Sequence, residues 1–286
     1  MMEKTAISAR PTPSQMKNSR LRSGHAEVRP TWSHAVWGGL LGLCLTLLIW
    51  APAQWMAWGV SKVSQGQVQW LNPRGTLWSG SAQVVLSGGA GSLQPQGLPG
   101  RLQWTLFPNG AGLRLGLMAD CCMKERIDLD LQLGIATFKV QSTDHVSQWP
   151  AALLTGLGAP WNTLKPEGQL QLRTEALQLQ WVQGRMQMRG LAELQIKNIS
   201  SALSTTKPIG SYQVALRAPP EGTAPPNLAL TTLQGPLLLS GNGQWVGSRL
   251  RFTGEASAEE GHERSLNNLL NILGRRQGSR SLLTLG

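Results

Sequence analysis

Apolar residues recur at every second position over most of this chain. The stretch Gly75 to Gly88, GTLWSGSAQVVLSG, places Thr76, Trp78, Gly80, Ala82, Val84 and Leu86 on one parity and Ser79, Ser81, Gln83 and Ser87 on the other. Successive side chains of a strand point to opposite faces, so the pattern predicts a strand with one wet face. The period returns in Leu102, Trp104 and Leu106, in Leu113, Leu115 and Leu117, and in Ile127, Leu129, Leu131 and Leu133. After a break near 144–168 it resumes with Leu170 and Leu172, then Leu177, Leu179 and Trp181. Met186 and Met188, Leu194 and Ile196, Val214 and Leu216, and Leu237 and Leu239 follow. Gly, Asn and Pro separate these segments, which predicts antiparallel meanders with one apolar face. One elongated, twisted sheet and two similar lobes both fit the break.

Such a face has to be covered, and two segments have the spacing of short helices. Asp144 to Leu157 begins with a capping Asp and stops at Gly158. Ser265 to Leu273 puts Leu266, Leu269, Leu270 and Leu273 on one stripe, with Gly274 as a stop and Arg275 and Arg276 beyond it. Both are expected to pack on the sheet.

One segment breaks the period of two. Val36 to Trp58 is apolar throughout, and no charge lies between Arg29 and Lys62. About 20 apolar residues suffice to cross a bilayer, and Trp32, Trp37, Trp50, Trp55 and Trp58 fit the interfacial belts. Lys4, Arg10, Lys17, Arg20, Arg22 and Arg29 all precede the run, so the positive-inside rule puts the amino terminus in the cytoplasm. The expected organisation is a disordered basic leader over 1–35, a transmembrane anchor over 36–58, and a periplasmic β-rich domain over 62–286. Ala51-Pro52-Ala53 resembles a signal-peptidase site, but the leader and the apolar run are both long for a signal peptide.

Composition adds to this picture. Charged residues make up 14% of 286, against about 25% in an average soluble domain, so Gln, Ser, Thr and backbone must form much of the wet surface. The 33 Gly and 17 Pro suit a turn-rich sheet protein. A net charge of +11 suggests nucleic acid, but outside the leader the basic residues are dispersed among acids and no recognition motif accompanies them. No nucleic-acid partner is expected.

Reactive constellations are missing from the sequence. There is no H-E-x-x-H, G-x-S-x-G or G-x-G-x-x-G, and no lysine follows a glycine, which removes the P-loop. His145 and His262 are solitary and expected to be solvated. Cys44 sits in the apolar run as a small hydrophobe. The Cα spacing of the adjacent Cys121 and Cys122, about 3.8 Å, falls below the usual disulfide range, so a bridge between them would be strained; with free and intermolecularly paired thiols as the alternatives, the sequence leaves their redox state open. Asp128 and Asp130 share a strand face, which alternation with leucine marks as the wet one. No catalytic, cofactor-binding or metal-ligating residue is assigned, and the chain is expected not to be an enzyme.

The ordered motifs carry a resemblance. The basic leader, one apolar segment and GTLWSGSA at Gly75–Ala82 are followed by GAPWNTLKPEG at Gly158–Gly168 and ISSALSTTKPIGSYQV at Ile199–Val214. LQGPLLLSGNGQW at Leu233–Trp245, RFTGEA at Arg251–Ala256 and LNNLLNILGRR at Leu266–Arg276 complete the set. In these the chain resembles the type II (general) secretion system protein N family. The resemblance implies an inner-membrane accessory component that supports protein transport across the outer membrane. Its partners would be other secretion components, in the inner-membrane platform or the periplasm. The matching positions, with structural or interaction roles, are Gly75, Leu77, Trp78, Gly80, Pro160, Trp161, Gly168, Gly210, Tyr212, Gly235, Pro236, Gly241, Trp245 and Gly254. The long leader and Cys121-Cys122 depart from the family pattern. On this reading the sheet contacts partners through an exposed strand edge. The leucine parity is also similar to the lipid-carrying curved sheets of AsmA-like proteins, which makes lipid binding the alternative function.

Overall fold

The computed structural model describes residues 32–88, 95–182, 185–218, 225–246 and 249–286. The basic leader falls outside the described residues up to position 31. The chain divides into two compact units, Met1–Leu45 and Thr46–Gly286, and the sheet lies wholly in the second.

The apolar run does not form one helix. Helix α1 (Trp32–Ile49) stops at Trp50, and α2 (Ala53–Val63) starts after Pro52, which is extended at φ −70° and ψ 149°. A proline supplies no amide to a helix behind it and pushes the preceding residue out of helical space, so the chain breaks there. The 18 residues of α1 reach about 27 Å at 1.5 Å each, short of the roughly 30 Å hydrocarbon core. No helix among the described residues is long and apolar enough to cross a membrane. The large apolar side chains of α1 are exposed all round, from Trp32 and Trp37 to Leu48 and Ile49, and Cys44 is exposed too rather than buried.

The alternating segments all enter one sheet. Its first part comprises β1 (Val68–Gly75), β2 (Ser79–Leu86), β3 (Gln96–Gly97), β4 (Leu102–Asn109), β5 (Gly112–Ala119), β6 (Ile127–Leu133), β7 (Thr137–Ser142) and β8 (His145–Pro150). The second comprises β9 (Glu167–Val182), β10 (Arg185–Ser200), β11 (Gly210–Arg217), β12 (Asn227–Gln234), β13 (Leu237–Val246), β14 (Arg249–Ala258), β15 (Arg275–Gln277) and β16 (Arg280–Leu285). The order is β1-β2-β4-β5-β6-β7-β9-β10-β11-β12-β13-β14-β16-β15, with β3 on β2 and β8 on β9. Every pairing is antiparallel. This is one open sheet of 16 strands, so the single-sheet expectation holds over two lobes.

Strand β9 shows how the pattern survives a change of phase. Leu170 and Leu172 are even-numbered, while Leu177, Leu179 and Trp181 are odd. The register against β10 shifts between Leu191↔Glu175 and Arg189↔Gln178, where Ala176 takes φ 43° and Gly190 φ 84°. The extra residue of this β-bulge returns the second leucine set to the face of the first. Two segments of the sequence are therefore one strand of 16 residues.

The expected helix over Asp144–Leu157 is half strand. His145 to Pro150 pair with Thr174 to Gln169 in register with the β7 pairing, because β7 and β8 run end to end along β9. Only Ala151–Leu157 is helical, and it is a 3-10 turn begun after Pro150. The Asp144 carboxylate accepts a hydrogen bond from Ala176 N across the sheet instead of capping. The other expected helix forms as α4 (Glu263–Leu273), which buries Leu266, Leu269 and Leu270. Its two arginines continue into β15 instead of ending the helix.

Cover for the dry face comes from these short pieces, in three clusters. Ala53 of α2 joins Ala82 and Trp104, with Met56 and Trp70 against them. Leu153 of the 3-10 turn joins Leu98, Leu102, Ala119 and Cys122. Leu266, Leu269 and Leu270 of α4 join Leu170, Ile199, Tyr212 and Leu237, together with Leu164 of the short helix α3 (Trp161–Leu164). None of the three reaches Leu131, Leu133, Phe138, Val140, Leu179 or Trp181, which pair across β6, β7 and β9 on the same face. Leu133 is 69% exposed and Phe138 36%. Among the described residues the dry face is longer than its cover.

Turn glycines fix the strand ends. Gly235 sits at φ 116°, and a Cβ there would overlap the Gly210 backbone. Gly110 sits at φ 57° with nothing within 4 Å of a Cβ. Replacing Gly235 with Ala should therefore cost about 3 kcal/mol or more, while Gly110→Ala should cost about 1 kcal/mol. Denaturant midpoints of the two variants measure the difference.

Candidate functional site

The leucine faces of β9 to β13 and the helices above them enclose a cavity of about 370 Å³. Leu170, Ile196, Val214, Leu230 and Leu239 form its floor, and Leu269 and Leu273 of α4 its roof. Leu154, Trp161 and Leu164 close one side. The volume falls within the roughly 300 to 1,000 Å³ typical of small-ligand pockets.

Polar groups at its wall are few and committed. The Ser201 hydroxyl donates to Leu164 O at 2.7 Å. The Tyr212 hydroxyl lies 3.0 Å from Leu237 O and 3.3 Å from Ile209 O, and gives its one hydrogen to that pair. Burial disfavours the phenolate, so the Tyr212 pKa is pushed well above its ordinary value near 10. The buried side-chain atoms without a partner, Thr105 Oγ1, His145 Nε2 and His262 Nδ1, all belong to residues outside the cavity wall.

A larger groove of about 1,020 Å³ lies where β1, β2, β4 and β5 present polar residues. Two of its arginines, Arg101 and Arg126, are already engaged. Arg101 donates to Asn72 O at 2.7 Å and to Ser81 O at 2.8 Å, and Arg126 lies 2.7 Å from Asp128. Arg114 likewise holds Asp130 at 2.8 Å and lowers its pKa by donating hydrogen bonds to the carboxylate. Asp128 and Asp130 thus occupy the wet face as expected, each with its own arginine.

The positions singled out in the sequence fall into separate groups. Leu77 and Trp78 lie in the turn between β1 and β2, with Gly75 ending β1 and Gly80 near the start of β2, so Thr76 and Trp78 leave the strand that alternation assigned to them. That turn fastens the end of the apolar segment. Leu77 N donates to Ala51 O at 2.8 Å, the Trp78 indole donates to Leu48 O at 2.8 Å, and Pro52 bridges Thr76. Trp78 thereby adds a short hydrogen bond to a carbonyl of the last helical turn, whose other donor, Ala51 N, lies 3.5 Å away. A Cβ on Gly80 would strike the Trp104 ring, whose indole donates to Leu77 O at 3.1 Å.

A second group surrounds the phenol. Gly210 leaves room for the Tyr212 hydroxyl, Gly235 passes over Gly210, and Pro236 O accepts Glu259 N at 2.8 Å. On β13 and β14, Gly241 and Gly254 make space for the Phe252 ring, and Trp245 pairs with Leu250. Pro160, joined to Ala159 by a cis peptide, precedes α3, and Gly168 is the second residue of β9 at φ 141°. Of the fourteen, only Trp161 and Tyr212 line the cavity. Its floor residues come from the leucine parity, which marks a dry face without saying which part of it stays empty.

For the reactive residues, one open question is answered and one expectation is corrected. Cys121 and Cys122 are bonded to each other across a tight turn, so the pair is neither free nor intermolecular. Cys122 is buried against Ala119 and Leu153. His145 is buried rather than solvated, because the strand that replaces the expected helix turns it inward beside Thr174. Burial lowers its pKa.

Fold and cavity together define an open-sheet β protein whose distinctive surface is hydrocarbon. The family model "Type II secretion system (T2SS), protein N" matches residues 66–282, and the chain belongs to that family. The family is a structural component of type II secretion, so the chain is a protein-transport component that associates with others of that system in the cell envelope. No curated protein and no solved structure matches the chain.

Tyr212 is the single tyrosine of the chain, so alkaline titration of phenol absorbance reports on it alone. Folded and unfolded chains both keep the proton below the ordinary phenol value near 10. Above it the unfolded chain releases its proton first, and stability should fall as pH rises further. Tyr212→Phe should abolish that alkaline loss and cost about 1 to 2 kcal/mol at neutral pH through the lost hydrogen bond to Leu237 O, while Ile209 O keeps Leu237 N. Denaturant unfolding of both proteins across alkaline pH measures each effect.

Proposed function

We propose that the chain is an inner-membrane accessory component of type II secretion, acting through contacts of a periplasmic sheet. The observation that carries this reading is the β1–β2 turn, which latches an uncharged apolar segment onto the sheet. Segment Trp32–Trp50 anchors the chain in the inner membrane with the basic leader on the cytoplasmic side. Modest thinning of the bilayer or the flanking tryptophans accommodate its length.

The sheet's two terminal edges are poor docking strands. Edge strand β1 carries Pro73, Arg74 and an irregular register between Leu71 and Arg74, and β15 is a three-residue strand with two arginines. Such features block strand addition, so contacts with other secretion components fall on faces and loops instead of the expected edge.

A second reading has its own support. The apolar strip of Leu133, Phe138 and Trp181 lies beyond the core clusters, as an AsmA-like lipid-binding or lipid-transfer sheet requires. Phospholipid should then accompany the chain after extraction, and mass spectrometry finding none would remove this reading.

Deleting the chain should abolish or strongly reduce exoprotein release, with recovery when the full chain is restored; unchanged release would contradict the proposal. Protease added to spheroplasts should cut the sheet and spare the leader, and the opposite pattern would invert the topology.

A further inference from the structure

We propose that the cavity beneath α4 is a binding site for a single hydrocarbon chain of a membrane lipid. This rests on the lipid reading above and narrows it to one place and one chemical class.

The wall chemistry selects the occupant. Protein interiors are close-packed, and a cavity of about 370 Å³ far exceeds the voids that folded cores normally leave. Water needs two to four polar partners to be held, and this wall offers almost none. The Tyr212 and Ser201 hydroxyls are spent on backbone carbonyls. A peptide segment would bring amides that the leucine walls cannot pair, and each buried unpaired amide is costly. A hydrocarbon chain brings no such group.

An entrance and a route are both present. Trp161 lines the cavity and is 37% exposed, so the space meets the surface beside α3. On the floor, Val214 pairs with Leu230, and one step along the same face Leu216 pairs with Leu228. The apolar floor therefore continues past α4 onto the part of the sheet that no helix cluster covers. A chain reaching the open strip can slide beneath the helix without leaving apolar surface.

The test uses the full chain in native membranes whose lipids have incorporated a diazirine-bearing palmitate. After irradiation, labelled peptides are mapped by mass spectrometry. Label on α4 around Leu266–Leu273 and on β10 to β12 is expected, besides label on α1. Val214→Trp fills the cavity, so label on α4 should be lost while label on α1 persists. Its tyrosine should still titrate well above the ordinary phenol value, as in the unaltered chain, which shows that the fold is kept. Label on the open strip but not on α4 would overturn the cavity site and leave the lipid reading standing. Label confined to α1 would overturn both. Loss of label on α1 and α4 together in the variant would also count against the site.

Discussion

Everything in this structure depends on an imbalance between an apolar sheet face and the means of covering it. Each strand hides its polar backbone in the ladder and turns every second side chain to one face, so the dry area grows with every strand added. Sixteen strands make a face that α2, α3, α4 and a 3-10 turn cover only in part. Where they lie the core is conventional, with Trp104, Leu266, Leu269 and Leu270 nearly inaccessible. Past them, Leu133 and Phe138 remain open to whatever apolar material is at hand.

The motif positions serve that architecture. Glycines at Gly80, Gly210, Gly235, Gly241 and Gly254 remove Cβ atoms where a ring or a second backbone passes close by. The turn carrying Trp78 donates to Leu48 O and Ala51 O at the end of the apolar segment. Local packing thus assigns these residues to the framework, while the leucines that alternate along most of the strands form the dry face.

Much of the sheet was legible in the sequence, because parity survives wherever one face is dry. Leu102, Trp104 and Leu106, and Leu113, Leu115 and Leu117, lie where alternation placed them, and the stripe of Leu266, Leu269 and Leu270 predicted α4. Phase changes were harder. The shift from Leu172 to Leu177 resembles the start of a new strand until pairing with β10 exposes a bulge at Ala176. Val146 and Trp149 suit a helix spacing as well as a strand, and only the long partner β9 decides between them. Pro52 cut an apolar run that hydropathy alone treats as continuous. The cavity was not legible at all, since its wall joins residues from Leu154 to Leu273 that meet only after folding.

The central claim is that the chain covers only part of its own apolar face, and hydroxyl-radical footprinting of the lipid-depleted full chain tests it most directly. Trp104 and the α4 leucines should resist modification while Leu133, Phe138 and Trp181 react readily. Equal protection of both groups would mean that the face is closed, and the account built on its open half would be wrong.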